Sequence, residues 1–238
     1  MQTELVIFGL VGTTLADDAV LEAPLRATLA DVGIAVSDDA LDAVAGRATP
    51  DVLRALLGEC KGEVDSCHEA FVARVVARAH DRAPIREVLG ASPAFWQLRK
   101  HGVKVASLTQ LTLAAAEALH DRIGWRARGL LDVVVSSDEV ERGAPYPDAI
   151  HEAMNRAGVR DPGHVVVVGS TPAEMEQGKA AGCGLVVGVF DTGGSFDALR
   201  ATPHDVLLPT CALVPELLRR IDARRIAPIA FGWSAMDT

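Results

Sequence analysis

The chain has 238 residues, 49% of them hydrophobic, and its 32 Asp and Glu against 23 Lys and Arg give a formal charge of −9. That size suffices for a sizeable core in one large or two modest domains, and the acidic balance leaves no cationic footprint for a nucleic-acid backbone. No run approaches the roughly 20 apolar residues of a membrane span, and acidic Glu4 leading at once into an apolar strand does not read as a signal peptide, so a cytoplasmic protein is expected.

In chain order, Leu5 to Phe8 has the length and content of a buried strand, and Gly9 to Thr14 supplies turn chemistry after it. Amphipathic helices are then expected over Ala19 to Val32, Asp38 to Ala45, Pro50 to Leu57 and Val64 to Ala79. From Ile85 onward helices alternate with apolar strands at Val103–Ser107, Leu131–Val135, Val165–Val168 and Leu185–Val189. That alternation predicts an α/β fold: a Rossmann-like, doubly wound parallel sheet core (residues 1–16 and 83–220) with an inserted helical cap (17–82). A tail, 221–238, carries Ile226, Ile229, Phe231 and Trp233, apolar residues that need a surface to cover: the chain's own core, a second subunit in a homodimer, or the mouth of a ligand pocket. Cys60, Cys67, Cys183 and Cys211 have neither zinc-site spacing nor a disulfide pattern.

Four segments carry a resemblance. Leu5-Val6-Ile7-Phe8-Gly9-Leu10-Val11-Gly12-Thr13-Thr14, Leu108-Thr109-Gln110, the stretch from Ser136 to Asp148, and Gly169-Ser170-Thr171-Pro172-Ala173-Glu174 follow the motifs of the haloacid dehalogenase superfamily. The match is to its phosphonatase-like branch, over residues 3 to 218 or so. The resemblance implies phosphoryl transfer through an aspartate nucleophile, a magnesium ion and a positioned cation. The motif positions here are changed: Gly9 stands at the nucleophile, Val11 two residues on, Ala144 at the cation, and Ser170 and Glu174 at the metal-holding carboxylates. Thr49 stands where a phosphonatase carries its imine-forming lysine, and none of Lys61, Lys100, Lys104 and Lys179 is placed to replace it. Glycine can neither attack phosphorus nor ligate a cation, so no metal and no cofactor are expected.

Replacing two aspartates and a cation by Gly9, Ser170 and Ala144 predicts a larger, less polar hole, suited to a neutral or mostly apolar small molecule. Thr109, Ser170 and Glu174 are the candidate catalytic residues, with Gly9, Val11, Thr13, Thr49, Ala144 and Tyr146 as substrate contacts. Alternatives stay open at several of these. Thr171-Pro172-Ala173-Glu174 is also a capping-box pattern, in which the glutamate serves the helix start. Gly12-Thr13-Thr14 is either an anion cradle or inherited turn geometry, and Tyr146 either meets a ligand or packs on the cap. None of the seven histidines falls in a motif position. Two functions follow: a repurposed, metal-independent enzyme guiding a cyclisation, isomerisation or elimination, or a non-catalytic pseudophosphatase that regulates by binding a metabolite or protein.

Overall fold

Strand β1, Leu5–Gly9, is buried at all five positions because it lies inside a six-stranded parallel sheet of order β3-β2-β1-β4-β5-β6. The computed structural model describes residues 2–16, 20–82, 84–191 and 195–226. The other strands are β2 (Lys104–Thr109), β3 (Val133–Ser136), β4 (Val165–Gly169), β5 (Leu185–Val189) and β6 (Val206–Leu208). Helices α1 (Glu22–Asp31), α2 (Asp38–Asp42), α3 (Thr49–Leu57) and α4 (Val64–His80) follow β1, and α5 (Ala91–Lys100) leads into β2. Five more helices complete the chain: α6 (Leu113–Ile123), α7 (Asp148–Ala157), α8 (Pro172–Ala180), α9 (Phe196–Ala201) and α10 (Val214–Ile226).

Strand alternation sorts the core into two faces. Val6 and Phe8 of β1, with Val105, Val166 and Val168, join Phe95 of α5, Leu119 of α6 and Leu218 of α10. Leu5 and Ile7, with Ala106, Leu108, Val165 and Val167, pack on Ile150 and Met154 of α7. Both faces covered by helices is what makes the strand text continuously apolar. Among the inserted helices, Leu29, Leu53, Leu57, Val64 and Cys67 form a cluster of their own, while Phe71, Val75 and Ala79 of α4 turn toward the sheet-side cluster.

Most expected elements are present with ends shifted by a few residues, as in β2, and three differences stand out. β3 starts at Val133 rather than Leu131. The cause is Asp132, whose Oδ2 accepts the Val105 amide at 2.8 Å and thereby places a side chain at the start of the ladder. α2 closes at Asp42 instead of Ala45 and gives way to turns up to Gly46. β6, α9 and α10 were not expected: β6 has three half-buried residues, too few to show a period, and α10 runs through the expected boundary at residue 220. Ile229, Phe231 and Trp233 of the expected tail lie outside the described residues. Among the described residues no helix is long and apolar enough to cross a membrane.

Registers bring the functional strand ends together. Gly9 pairs with Leu108 of β2, and Phe8 with Val168 of β4. Gly9, Thr109 and Ser170 therefore emerge side by side at the carboxyl edge, with β1 between neighbours reached in opposite directions, the place where open α/β sheets bind ligands.

Candidate active site

At the end of β4 the chain turns through Ser170 into α8, and Thr171-Pro172-Ala173-Glu174 forms the complete capping box: Thr171 Oγ1 accepts the Glu174 amide at 3.3 Å. Glu174 Oε2 collects three hydrogen bonds, from Ser170 N at 2.9 Å, Thr171 N at 3.0 Å and Thr171 Oγ1 at 2.9 Å. Proline at the first helical position fixes the backbone for this start. The helix-cap reading of Glu174 thus holds, and the side chain does something more.

A Cβ on residue 9 would fall well inside contact distance of Glu174 Oε1, and 2.7 Å from Thr13 Oγ1. A Cβ on Gly169 would lie 2.7 Å from the Glu174 Cβ and 2.9 Å from its Oε2. The glutamate therefore occupies the space that a side chain on residue 9 requires. Beside it, Thr13 Oγ1 donates to Ser170 Oγ at 3.2 Å, both residues being buried. This corrects the expectation of an enlarged hole at the strand ends: the extra methylene of glutamate reaches back over the two glycines and fills it.

Glu174 is buried. Burial pushes its carboxyl above the usual range, against the pull of the Ser170 and Thr171 donors. Among the described residues no Lys, Arg or His forms an ion pair with it, and Oε1 accepts no hydrogen bond. A carboxyl so placed favours its neutral form, with Oε2 saturated as acceptor and Oε1 left to carry the proton.

Glu174 and Ser170 border a cavity of about 360 Å³ between the strand ends and the inserted helices. Val11, Thr49, Thr109, Ser170 and Glu174 all line it, so the structure gathers five of the nine residues singled out in the sequence. Its walls are largely apolar, with Leu21, Leu25, Val52, Phe71 and Leu108 among them. Thr109 Oγ1 accepts the Leu111 amide at 3.2 Å, which leaves its own proton for another acceptor. Thr49 bridges from α3 to the strand ends, donating from N at 3.4 Å and from Oγ1 at 3.2 Å to the Gln110 carbonyl.

The other four are elsewhere. Gly9 and Thr13 lie behind Glu174. Ala144 is buried and donates its amide to Gln110 Oε1 at 3.1 Å, off the cavity lining. Tyr146 is half-exposed, lies 4.6 Å from the Arg142 guanidinium across its ring face, and borders a separate groove with His68 and Arg54.

Three residues given no site role in the sequence belong here. Gln110 joins Thr49, Ser137 and Ala144 through its two carbonyl oxygens, with Nε2 buried and unpartnered among the described residues. Gly46 has φ +79°, and a Cβ there would lie 2.7 Å from the Thr171 Cβ, so only glycine lets this loop sit against the start of α8. Arg47 follows it on the cavity lining. The signals were present in Ala45-Gly46-Arg47 and in Gln110 after Thr109, but their partners are distant in sequence.

The profile of haloacid dehalogenase-like hydrolases matches residues 3–182. The chain belongs to this family. Its curated relatives include the phosphonoacetaldehyde hydrolases of Parabacteroides distasonis, 30% identical over 150 residues (61% of this chain and 55% of the relative), and of Latilactobacillus sakei, 34% identical over 113 residues (46% and 40%). This places the haloacid dehalogenase-like chain in the phosphonatase-like branch, although it spans only about half the length of those relatives or less. Among solved structures, a phosphonoacetaldehyde hydrolase-like protein from Oleispira antarctica superposes with a TM-score of 0.77 at 19% identity, covering 96% of both chains. CbbY from Rhodobacter sphaeroides, in complex with phosphate, gives 0.73 at 20% identity over 88% of this chain and 95% of its own. At these identities the superpositions establish the haloacid dehalogenase-like fold.

Proposed function

We propose that this chain has left aspartyl-phosphate chemistry and works as a metal-independent enzyme that encloses a mostly neutral small molecule and guides a cyclisation, isomerisation or elimination. One observation carries the reading: the Glu174 carboxyl fills the space of a residue-9 side chain, and Glu174 also lines a largely apolar cavity. The family's route needs a carboxylate at position 9 to attack phosphorus, and Gly9 supplies none. The donor set suits a magnesium ion poorly. A hard cation takes carboxylate oxygens, whereas Glu174, the single carboxyl at these strand ends among the described residues, has Oε2 committed to three protein donors.

A buried neutral acid beside an apolar chamber fits proton transfer. Glu174 Oε1 gives its proton to a substrate double bond or oxygen. The cation that forms rearranges or closes within the walls. The glutamate then recovers a proton from a neighbouring carbon and returns to its acid form; an elimination also releases the protonated leaving group. No oxidant, metal or nucleotide enters this balance. Orientation by the walls and hydrogen bonds from Thr109 and Ser170 supply the rest.

Thermal shift and phosphate-release assays test the proposal together. Magnesium with inorganic phosphate is expected to leave the melting temperature unchanged, para-nitrophenyl phosphate and phosphonoacetaldehyde to remain intact, and medium-chain apolar compounds to stabilise the fold. Magnesium-dependent phosphate release, or an acyl-phosphate trapped on the chain, would overturn it.

A further inference from the structure

Three of the five large apolar residues that stay exposed among the described residues gather around α5: Leu89 at 93%, Trp96 at 56% and Leu213 at 42%. The other two are already engaged, Tyr146 with Arg142 and Phe196 with Phe190. Pro93 and Trp96, three residues apart, share the outward side of α5, and both are exposed. Gly90, just before that helix, packs so closely on the turn Cys211–Leu213 that a Cβ there would lie 2.6 Å from the Ala212 Cβ. Leu89 and Leu213 each stand one residue from that contact. An apolar stripe therefore runs from the start of α5 to its middle, and α10, with Leu217 and Ile221 half-buried on it, packs beside that helix.

The path of α10 decides what can cover this stripe. All six strands are parallel, so β6 ends at the carboxyl edge of the sheet and the turn Cys211–Leu213 starts α10 there, next to the start of α5. Val214 and Leu218 hold α10 in the core cluster, so the helix runs back along the sheet beside α5, for about 20 Å at its rise per residue. Ile226 ends it at the far end of this face. The twelve residues that follow carry one charge, Asp237, and place Ile229, Phe231 and Trp233 at alternate positions. Alternate residues of an extended segment point the same way, and Pro228 lacks the N–H that a longer helix needs. Extended chain from Ile226 brings Trp233 as far as about 23 Å, the length of α10 over again.

We propose that residues 227–238 turn back from the end of α10 and lie along α5, with Phe231 and Trp233 seated on the stripe of Leu89, Pro93, Trp96 and Leu213. The stripe is then an intramolecular docking face for the chain's own segment. Both partners are apolar. Lys100, whose Nζ stands 5.0 Å from the centre of the Trp96 ring, leaves more than half of that residue open to be covered. Removing these surfaces from water offsets the entropy lost in ordering the segment.

The test uses the full chain. p-Benzoylphenylalanine at position 233 is expected to photocrosslink within one chain to peptides holding residues 89–96 or 211–213, identified by mass spectrometry. Trp96→Ser and Trp233→Ser are each expected to lower the folding equilibrium constant about fivefold in urea titrations. The double variant is expected to fall no further than the weaker single variant, because both changes empty one contact. Crosslinks between two chains, with sedimentation at twice the monomer mass, would give the face to a second copy and overturn the inference. Crosslinks confined to residues lining the cavity, absence of any crosslink to α5, or effects of the two substitutions that simply add overturn it as well.

Discussion

Glu174 and Glu87 fold over the starts of two helices in the same way and end in different states. Glu87 takes the Ser92 amide of α5 on Oε1, and on Oε2 the Ser92 hydroxyl at 2.7 Å and the Trp125 indole N–H at 3.1 Å. Arg128 stands 3.9 Å away. Both oxygens are used, a cation is near, and Glu87 borders neither the cavity nor the separate groove described above. Among the described residues, Glu174 has one oxygen with three donors, no paired cation, one oxygen with no donor, and a place on the cavity lining. A carboxylate with both oxygens engaged is a fastener. One left half-matched in an apolar place is poised to exchange a proton.

Restoring a carboxylate at residue 9 breaks the comparison most severely. Gly9→Asp drives its Cβ into the Glu174 carboxyl and sets two acids in one buried space, so stability is expected to fall by about 3 kcal/mol or more in urea unfolding. Gly9→Asp with Glu174→Ala removes the clash with the carboxyl, leaving the 2.7 Å approach to Thr13 Oγ1, and is expected to recover part of that loss. If the double variant is as unstable as the sum of its two single changes, Glu174 does not occupy the residue-9 space.

Acidity separates the buried groups next. His120 is fully buried, with Nε2 3.0 Å from Ser107 Oγ and Nδ1 unpartnered among the described residues. Burial, aided by Arg126, pushes its imidazole down to about 4 from an ordinary 6.5. Because the folded value is depressed, the unfolded chain binds more protons, and stability present above pH 6.5 is lost as pH falls toward 4, by about 3 kcal/mol. Glu174 works in the opposite sense. Its folded value is raised, so its contribution is present below the ordinary carboxyl value of 4.5 and is lost as pH rises through the folded value. Urea midpoints across pH 4.5 to 8 are expected to lose their acid-side fall in His120→Gln and their alkaline-side fall in Glu174→Gln. A pH profile unchanged by either substitution would contradict the assigned burial states.

The fold was legible in the sequence because burial on both sheet faces writes itself as unbroken apolar runs: Leu5 to Phe8 and Val165 to Val168 need no partner information to be read. β6, at three half-buried residues, carries no such signature. Of the site, the residues at strand ends were legible, since turn chemistry marks where a strand stops. Side-chain reach was not. Glu174 was readable as a helix cap from Thr171-Pro172-Ala173-Glu174, but that its carboxyl lies over Gly9 depends on β1 and β4 being neighbours in register. Ala144 and Tyr146 flank the cis Ala144–Pro145 bond. Ala144 gives its amide to Gln110 and Tyr146 stacks with Arg142 outside the cavity, contacts that no local spacing encodes.

The smallest expected effects sharpen the distinction most cleanly, because one amide replacement asks the same question of both glutamates. Glutamine keeps the shape of glutamate but turns one acceptor oxygen into a donor. At Glu87 both oxygens receive donors, so either orientation of the amide sets N–H against N–H or O–H, and Glu87→Gln is expected to cost about 2 kcal/mol. At Glu174 the carbonyl can take all three donors while the amide nitrogen takes the place of Oε1, which receives no donor among the described residues, so Glu174→Gln is expected to stay within about 1 kcal/mol of wild type near neutral pH. Side-by-side urea titrations decide it. Equal losses would mean that Glu174 Oε1 is tied into the scaffold like its counterpart, and the proton assigned to it would have no free oxygen to sit on.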